Sequence, residues 1–414
     1  MANLATAPAL VTTIFGLTYL MLAIGRVPGL KTDRAGIALI GASAMLACGA
    51  IDMDEAARAV DFNTIVLLLG MMVVVGVLKL AGFFTLANEQ LAARFSGPRT
   101  LLAVIIALSG VLSAFLVNDV VCLAMTPLTL ALCQRLKRPP IPYLVGLATA
   151  ANIGSVATIT GNPQNMIIGS LSHLSYLRFS ARLAPIALVG LVLNYAIVAI
   201  VYRKMLGETT PDRRWLGQAP QPRIHAALLV KSLTVTLIMV GLFFAGQPIA
   251  LVALAAAAFL MLDRLRPEKI YQAIDWPLLV MFAGLFVVVR AFEMHVVHAW
   301  RLDQWHALRD SPVVLISALS VGLSNLVSNV PAVLLFKPLI EAIPQQEQAW
   351  LALSMSSTLA GNLTLLGSVA NLIVVESARR AGTELSFLEY LKVGAPLTVL
   401  TTLTGAAWLA LTTY

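Results

Sequence analysis

Four polar clusters interrupt apolar segments of this 414-residue sequence, and they contain the residues best suited to bind a small solute. Two are the motifs LVNDV, around Asn118, and LVSNV, around Ser328 and Asn329. The other two are GNPQN, which begins at Gly161, and GNLTLLGSVAN, which begins at Gly361. A buried amide, hydroxyl or carboxylate needs a partner, because an unsatisfied polar group in hydrocarbon is unfavourable. The clusters therefore predict a binding site, with simple capping of a turn as the structural alternative.

The clusters that contain glycine and proline favour broken helices. Glycine permits local unwinding, and Pro163 lacks the N–H group that an uninterrupted helix would use. A helix that restarts after the break points its N-terminus into the protein, which suits an anion or a neutral oxygen compound. Unwound carbonyls and amide oxygens suit a small cation, and helix packing through small residues is the alternative for the glycines. The predicted substrate-binding residues are Asn118, Ser328, Asn329, Thr158, Gly161, Asn162, Asn165, Asn362, Thr364, Gly367, Ser368 and Asn371.

Charged residues within the apolar segments are the candidates for ion coupling. A charge at the middle of a bilayer costs at least about 2.5–3.5 kcal/mol, so such residues usually have a function. Asp119, next to Asn118, is the predicted cation ligand or proton carrier. Lys337 is a second coupling candidate, with a counter-charge to Asp119 and an interfacial position as alternatives. Arg290 and Glu293 are predicted to form an interfacial ion pair.

The composition places these clusters in a membrane. Hydrophobic residues make up 59% of the chain and charged residues 12%, about half the charged fraction of soluble domains. Long apolar runs such as TIVLLLGMMVVVGVL predict an all-α, polytopic membrane protein surrounded by a lipid bilayer. The net charge of +8 comes from Lys and Arg in short loops, so it indicates topology and not nucleic-acid binding. We find no nucleotide-binding, zinc or hydrolase motif, so we expect neither an enzyme nor a cofactor.

The apolar segments predict ten membrane crossings and two re-entrant helical hairpins. The hairpins lie at about 100–134 and 313–342, and broken helices make the crossings at 141–170 and 348–376. The other crossings are predicted near 8–25, 35–50, 62–80, 183–202, 224–244, 248–263, 277–293 and 391–412. With residues 206–223 as a cytoplasmic linker, the chain divides into two units of five crossings, 1–205 and 224–414.

The two units resemble each other in sequence. Because each unit has an odd number of crossings, the second must be inverted relative to the first. Paired broken segments in inverted repeats indicate the central binding site of a secondary transporter. Asp61 and Asp275 each begin a crossing and are predicted N-caps. Equivalent positions follow the same order in both units: Asp61 and Asp275, Asn118 and Asn329, Thr158 and Thr364, Asn165 and Asn371.

The distribution of basic residues orients the chain. With the N-terminus outside, most loops rich in Lys and Arg fall on the inner side. This bias predicts a multi-pass protein of the bacterial inner membrane with both termini outside. In that topology the first hairpin enters from the inside and the second from the outside.

Taken together, the motifs AFLVNDVVCLAMTPLTLAL, TGNPQNMIIG, LSNLVSNVPAVLL and GNLTLLGSVANLIV resemble the ion transporter superfamily. This group includes arsenite permeases of the ArsB type, NhaD-type sodium/proton antiporters and divalent anion/sodium symporters. The resemblance covers nearly the whole chain and is closest to ArsB-like permeases, because an Asn-Asp tip is followed by Thr-Pro. It implies an inverted-repeat transporter in which substrate and coupling ions meet at Asn118, Asp119, Asn329 and the broken segments 158–165 and 361–371.

The expected substrate follows from that resemblance. Carboxylate symporters of the superfamily usually carry Ser-Asn-Thr at both tips, which this chain lacks, and Lys337 near a sodium site would repel sodium. We therefore expect proton-coupled efflux of a small oxyanion or metalloid hydroxide, with arsenite or antimonite leading, by alternating access. Sodium-coupled uptake of a small organic or inorganic anion and a channel-like passive pathway are the alternatives. The resemblance also leaves open a homodimer and a soluble ATPase partner.

Overall fold

The computed structural model describes residues 8–24, 31–95, 97–207, 224–262, 266–296 and 311–412. Within these ranges the chain forms nineteen α-helices, one short 3₁₀ turn and no strand, which confirms the all-α prediction. The predicted linker 206–223 lies outside the described residues, apart from its first two positions. The first half contains α1 Pro8–Ile24, α2 Arg34–Ala47, α3 Met53–Ala59, α4 Phe62–Ala81, α5 Phe83–Arg94, α6 Pro98–Leu116, α7 Asn118–Arg135, α8 Ile141–Ser155, α9 Pro163–Ser172 and α10 Tyr176–Val201. The second half contains α11 Ala226–Phe244, α12 Ile249–Met261, α13 Pro267–Tyr271, α14 Trp276–His295, α15 Pro312–Val327, α16 Asn329–Glu341, α17 Gln346–Ala360, α18 Val369–Arg380 and α19 Phe387–Leu411.

Apolar length accounts for the long helices. Six of the described helices, α4, α6, α10, α11, α14 and α19, are long and apolar enough to cross a membrane. Two of these begin earlier than the apolar pattern predicts, α10 at residue 176 and α19 at residue 387. Ser175 and Ser386 cap them by accepting hydrogen bonds from the backbone N–H groups of Arg178 and Glu389. Each capped first turn contains a charged residue, Arg178 or Glu389, so the helices begin before the apolar runs that predicted them.

At each position predicted for a hairpin, two helices pack against each other across a sharp turn. α6 and α7 meet at Val117, and α15 and α16 meet at Ser328. The φ angle is 65° at Val117 and 77° at Ser328, a region that residues other than glycine rarely adopt. Strained backbone at two equivalent positions is typical of functional sites, where the surrounding packing maintains it. Re-entrance of these hairpins into the membrane stays a prediction.

The two broken helices are interrupted by irregular backbone. α8 and α9 are separated by a segment that contains the 3₁₀ turn Ile159–Gly161, and α17 and α18 by residues 361–368. Gly161 is required at its position because a Cβ atom there would overlap the backbone of Ser155. The GNPQN motif therefore separates two half-helices and allows their backbones to approach closely.

Helix packing repeats between the halves and divides the long helices into two groups. α6 packs on α8 as α15 packs on α17, and α2 packs on α14 as α12 packs on α4. The hairpins and broken helices, together with α10 and α19, form a group that we call the transport group (α6–α10 and α15–α19). The helices α1–α4 and α11–α14 form a second group, the frame. Such repeated pairing is expected of an internal repeat. The inversion of the second half and the boundaries of the two units stay predictions.

Candidate functional site

The starts of six helices meet at one cavity of about 430 Å³, which we call the tip cavity. They are α7 and α16 of the hairpins, α9 and α18 of the broken helices, and α2 and α14 of the frame. The first N–H groups of a helix have no partner within it, and the helix dipole makes this end positive. The cavity therefore concentrates hydrogen-bond donors. Its polar lining residues are Asp33, Arg34, Asn118, Asp119, Gln164, Asp275, Ser328, Asn329 and Ser368.

Side chains cap four of these six helix starts and leave two open. Neither α7 nor α16, the helices that follow the hairpin turns, has a side-chain cap. Their first N–H groups are therefore the donors that remain for a bound solute. The structure also confirms that Asp275 is the N-cap of α14, as predicted. The four caps each accept a hydrogen bond from a first-turn N–H at 2.8–3.2 Å: Asp33 for α2, Asn162 for α9, Asp275 for α14 and Ser368 for α18.

The two tip asparagines add hydrogen-bond acceptors. Asn118 is 3% exposed and Asn329 is 9% exposed, and both line the tip cavity. Nδ2 of Asn118 donates to Oδ1 of Asn152 at 2.9 Å, which orients the amide. The Oδ1 atoms of Asn118 and Asn329 are buried and have no hydrogen-bond partner among the described residues. Because an unsatisfied buried carbonyl costs roughly 1–3 kcal/mol, both oxygens favour a ligand that donates a hydrogen bond or carries positive charge.

Acidic side chains outnumber basic ones around the tip cavity. Asp33, Asp119 and Asp275 line it, together with the single guanidinium of Arg34. Asp119 forms no hydrogen bond or ion pair with another residue that the structure describes, and the carboxylate of Asp275 repels it electrostatically. A multiply charged anion would be repelled by this set of charges, whereas a neutral solute would not.

Behind the cavity, Asn165 and Asn371 satisfy the unwound backbone in the same way. Nδ2 of Asn165 donates to the carbonyl oxygens of Ser155 and Thr158, both at 3.0 Å. Nδ2 of Asn371 donates to the carbonyls at the equivalent positions 361 and 364, at 2.7 and 3.2 Å. Each asparagine thus replaces helical hydrogen bonds lost at the break, and this arrangement is the same in both halves.

Buried amides also join the two broken helices to each other. Nδ2 of Asn152, in α8, donates to Oδ1 of Asn362 at 2.9 Å and to Oδ1 of Asn371 at 3.2 Å. All three side chains are at most 1% exposed. Because Asn118 also bonds to Asn152, the network links the first hairpin tip to both broken helices.

Not all predicted binding residues reach the tip cavity. Those that line it are Asn118, Asp119, Ser328, Asn329 and Ser368. The others lie behind it, because the unwound backbone needs their hydrogen bonds or their small size. Asn162, Asn165, Asn362 and Asn371 act through amide hydrogen bonds, Thr158 and Thr364 donate to Ala114 O and Asn325 Oδ1, and Gly161 and Gly367 leave room for neighbouring atoms.

Lys337 lies in a second cavity of about 290 Å³, which we call the distal cavity. Its Nζ atom is 3.8 Å from Oε2 of Glu293, so its ion-pair partner is Glu293 and not Asp119. The alternative that Lys337 is a counter-charge to Asp119 is therefore wrong. The predicted ion pair between Arg290 and Glu293 is confirmed, with a distance of 3.2 Å between Nη1 and Oε2.

Sequence reasoning missed several residues of the site. It assigned no binding role to Asp33 or Arg34, which line the tip cavity, nor to Asn152, the centre of the amide network. For Asp33 and Arg34, the available signal was a polar residue at the start of an apolar helix. That signal predicts a cap, but it does not reveal which helix starts meet in space.

Comparisons with known proteins agree with this architecture. A family model described as "Citrate transporter" (CitMHS) matches residues 19–360. The chain is 30% identical to "Silicon efflux transporter LSI3" of Oryza sativa subsp. japonica, over 97% of this chain and 98% of that protein. It is 27% identical to "Putative transporter arsB" of Dictyostelium discoideum, over 91% of this chain and 87% of that protein. The crystal structure of the YdaH transporter of Alcanivorax borkumensis matches with a TM-score of 0.61 and 17% identity, over 98% of this chain and 97% of that chain, which indicates a similar fold.

Proposed function

Because this chain belongs to the citrate transporter family CitMHS, we propose that its tip cavity is the substrate site of a secondary active transporter. The relatives described above are named as transporters, so the chain is a multi-pass membrane transporter and not an enzyme. The match with an arsB protein agrees with the resemblance to the ion transporter superfamily. We propose that it exports a small neutral metalloid hydroxide across the bacterial inner membrane, with arsenite or antimonite as leading substrates.

The observation that carries this proposal is the pairing of free donors with free acceptors at the hairpin tips. The open starts of α7 and α16 offer N–H groups, while Asn118 and Asn329 offer unsatisfied amide oxygens. A hydroxyl group of the substrate can accept a hydrogen bond from a helix N–H group and donate one to an asparagine oxygen at the same time. A neutral molecule with several hydroxyls therefore satisfies both kinds of group, which a bare carboxylate or a bare cation cannot do.

The charges of the tip cavity support a neutral substrate over citrate. Three carboxylates and one guanidinium line the cavity, and a citrate ion would bring further negative charge to them. One relative is named a silicon efflux transporter, and silicon also dissolves as a neutral hydroxide near pH 7. The family description alone therefore does not determine what this chain transports.

We assign proton coupling to Asp119. As a carboxylate it accepts a hydrogen bond from a substrate hydroxyl, and protonation removes both the charge and an acceptor site. Proton and substrate then compete for one side chain, which is the basis of exchange in opposite directions by alternating access. Asp119 lines the tip cavity without a described partner, as such a competition requires.

Everted vesicles from a bacterial strain without its own metalloid exporters test the proposal. Arsenite accumulation, measured by mass spectrometry, should require an imposed pH gradient, acidic inside the vesicle, and should not respond to a sodium gradient. Asp119→Asn should abolish accumulation but retain arsenite exchange at equilibrium, because the substrate site remains while the proton carrier is lost.

The matched control is Asp52→Asn, which removes an exposed carboxylate outside the tip cavity and keeps the capping oxygen that Glu55 N needs. It should transport within about two-fold of the parent, as expected for surface changes away from the reacting group. Citrate accumulation without arsenite transport would contradict the substrate, and sodium-driven uptake would favour the alternative of anion symport. Equilibration without accumulation would indicate a passive pathway.

A further inference from the structure

The tip and distal cavities lie at opposite ends of the same helices. α14 contributes its start, at Asp275, to the tip cavity and its second half, from Phe286 to Glu293, to the distal cavity. α16 contributes Asn329 to the tip cavity and Lys337, about two turns later, to the distal cavity. The structure therefore has one pocket beside the hairpin tips at one end, and a separate pocket with several charged side chains at the other.

An ion pair connects the frame to the transport group at the distal end. Nζ of Lys337, in α16, is 3.8 Å from Oε2 of Glu293, in α14. The Lys337 side chain is 24% exposed and that of Glu293 is 12% exposed, so the pair is largely shielded from water. Lys337 also lies 3.8 Å from Oε1 of Glu341, but that contact is within α16. Among ion pairs with two described partners, Lys337–Glu293 alone joins the two groups, since the others are within one helix or within the transport group.

The first half of the chain has no equivalent of this pair. When the two halves of the sequence are aligned so that Asp61 matches Asp275, Lys79 occupies the position of Glu293. When they are aligned so that Asn118 matches Asn329, Thr126 occupies the position of Lys337. The hydroxyl of Thr126 donates a hydrogen bond to the carbonyl of Cys122 in its own helix. The two ends of the molecule therefore differ in a contact that separation of α16 from α14 would break.

We propose that Lys337–Glu293 is a latch that restrains the separation of α16 from α14 at the distal end and so favours the conformation seen in this structure. Separating α16 from α14 would leave Glu293 with Arg290 as its only described ion-pair partner. Breaking a shielded pair is more unfavourable than breaking an exposed one, because less water replaces the lost partner. This role rests on the alternating-access part of the proposed function and is independent of the substrate.

Thiol labelling of a buried position in the distal cavity tests the latch without any substrate. Val289 lines that cavity from α14 and is 5% exposed, so Val289→Cys in the purified full chain should react with a maleimide only when the distal end opens. Glu293→Gln and Lys337→Met should each raise the labelling rate about two- to five-fold, as expected for loss of one shielded ion pair. The double variant should be no faster than the faster single variant, because both remove the same contact.

Glu341→Gln is the matched control, since it removes the other carboxylate near Lys337 without affecting the link between the groups. Its labelling rate should equal that of the parent, and high salt should speed labelling in the parent but not in Glu293→Gln. Equal acceleration by Glu341→Gln, or none in Glu293→Gln and Lys337→Met, would overturn the latch. So would labelling rates that follow the melting temperatures of the variants, because that correlation would show general destabilisation.

Discussion

Asn118 and Asn329 are equivalent residues whose importance lies in one unsatisfied atom each. Their Oδ1 atoms are buried beside the open N-termini of α7 and α16. Asn165 and Asn371 are chemically identical side chains, but their Nδ2 atoms are saturated by backbone carbonyls. Only the first pair is therefore free to recognise a solute, and the second pair maintains the shape of the site.

Asn118→Ala and Asn329→Ala should each reduce arsenite transport at least about ten-fold, because each removes one hydrogen bond to the bound substrate. The measurement is initial flux in everted vesicles, normalised to the amount of inserted protein. Asn194→Ala is the control, since Asn194 is fully buried in α10 and bonds to Thr149 away from the tip cavity. Normal flux in both tip variants, or an equal loss in the control, would contradict a substrate-binding role.

At the scale of the helices, the breaks are stabilised by side chains that substitute for missing backbone hydrogen bonds. Two broken helices and two hairpins place four helix starts at one cavity, and two frame helices add two more. Caps satisfy the starts that do not belong to hairpins, so the hairpin starts are left open for the solute. The helix ends thus provide both the rigidity and the polarity of the site.

Asn371→Ala should lower stability by roughly 2–4 kcal/mol, because two buried carbonyls lose their partner. Asn371→Asp should be at least as damaging, since a carboxylate oxygen would face the same carbonyl oxygens. Thermal unfolding of the purified protein checks both, with Asn63→Ala as a control on an exposed residue of α4. If Asn371→Asp were tolerated, Asn371 would contribute to stability by its packing and not by its hydrogen bonds to the broken segment.

At the scale of the whole molecule, the orientation of the chain decides which compartment the tip cavity meets. Arg34, on the predicted inner side, lines the tip cavity, while Arg58 and Asp61, on the predicted outer side, line the distal cavity. With the predicted topology, the tip cavity therefore lies towards the cytoplasm, the side from which an exporter would collect its substrate.

Cysteine labelling in intact cells tests that orientation. Met53 is 71% exposed at the start of α3, and Lys204 is exposed just after α10. A membrane-impermeant maleimide should label Met53→Cys and not Lys204→Cys, because the positive-inside rule places them outside and inside respectively. The reverse pattern would invert the topology and place the tip cavity towards the exterior.

The sequence by itself determined the membrane class, the two interrupted segments and the polar residues at their centres. These features are local, because apolar length predicts a crossing and glycine, proline and amides predict a break within a few residues. Only the tertiary structure decided that Asn118 and Asn329 are unsatisfied while Asn165 and Asn371 are not, and that Lys337 faces Glu293 and not Asp119. The physical reason is that hydrogen-bond satisfaction and charge pairing depend on neighbours remote in the chain, and packing alone brings those neighbours together.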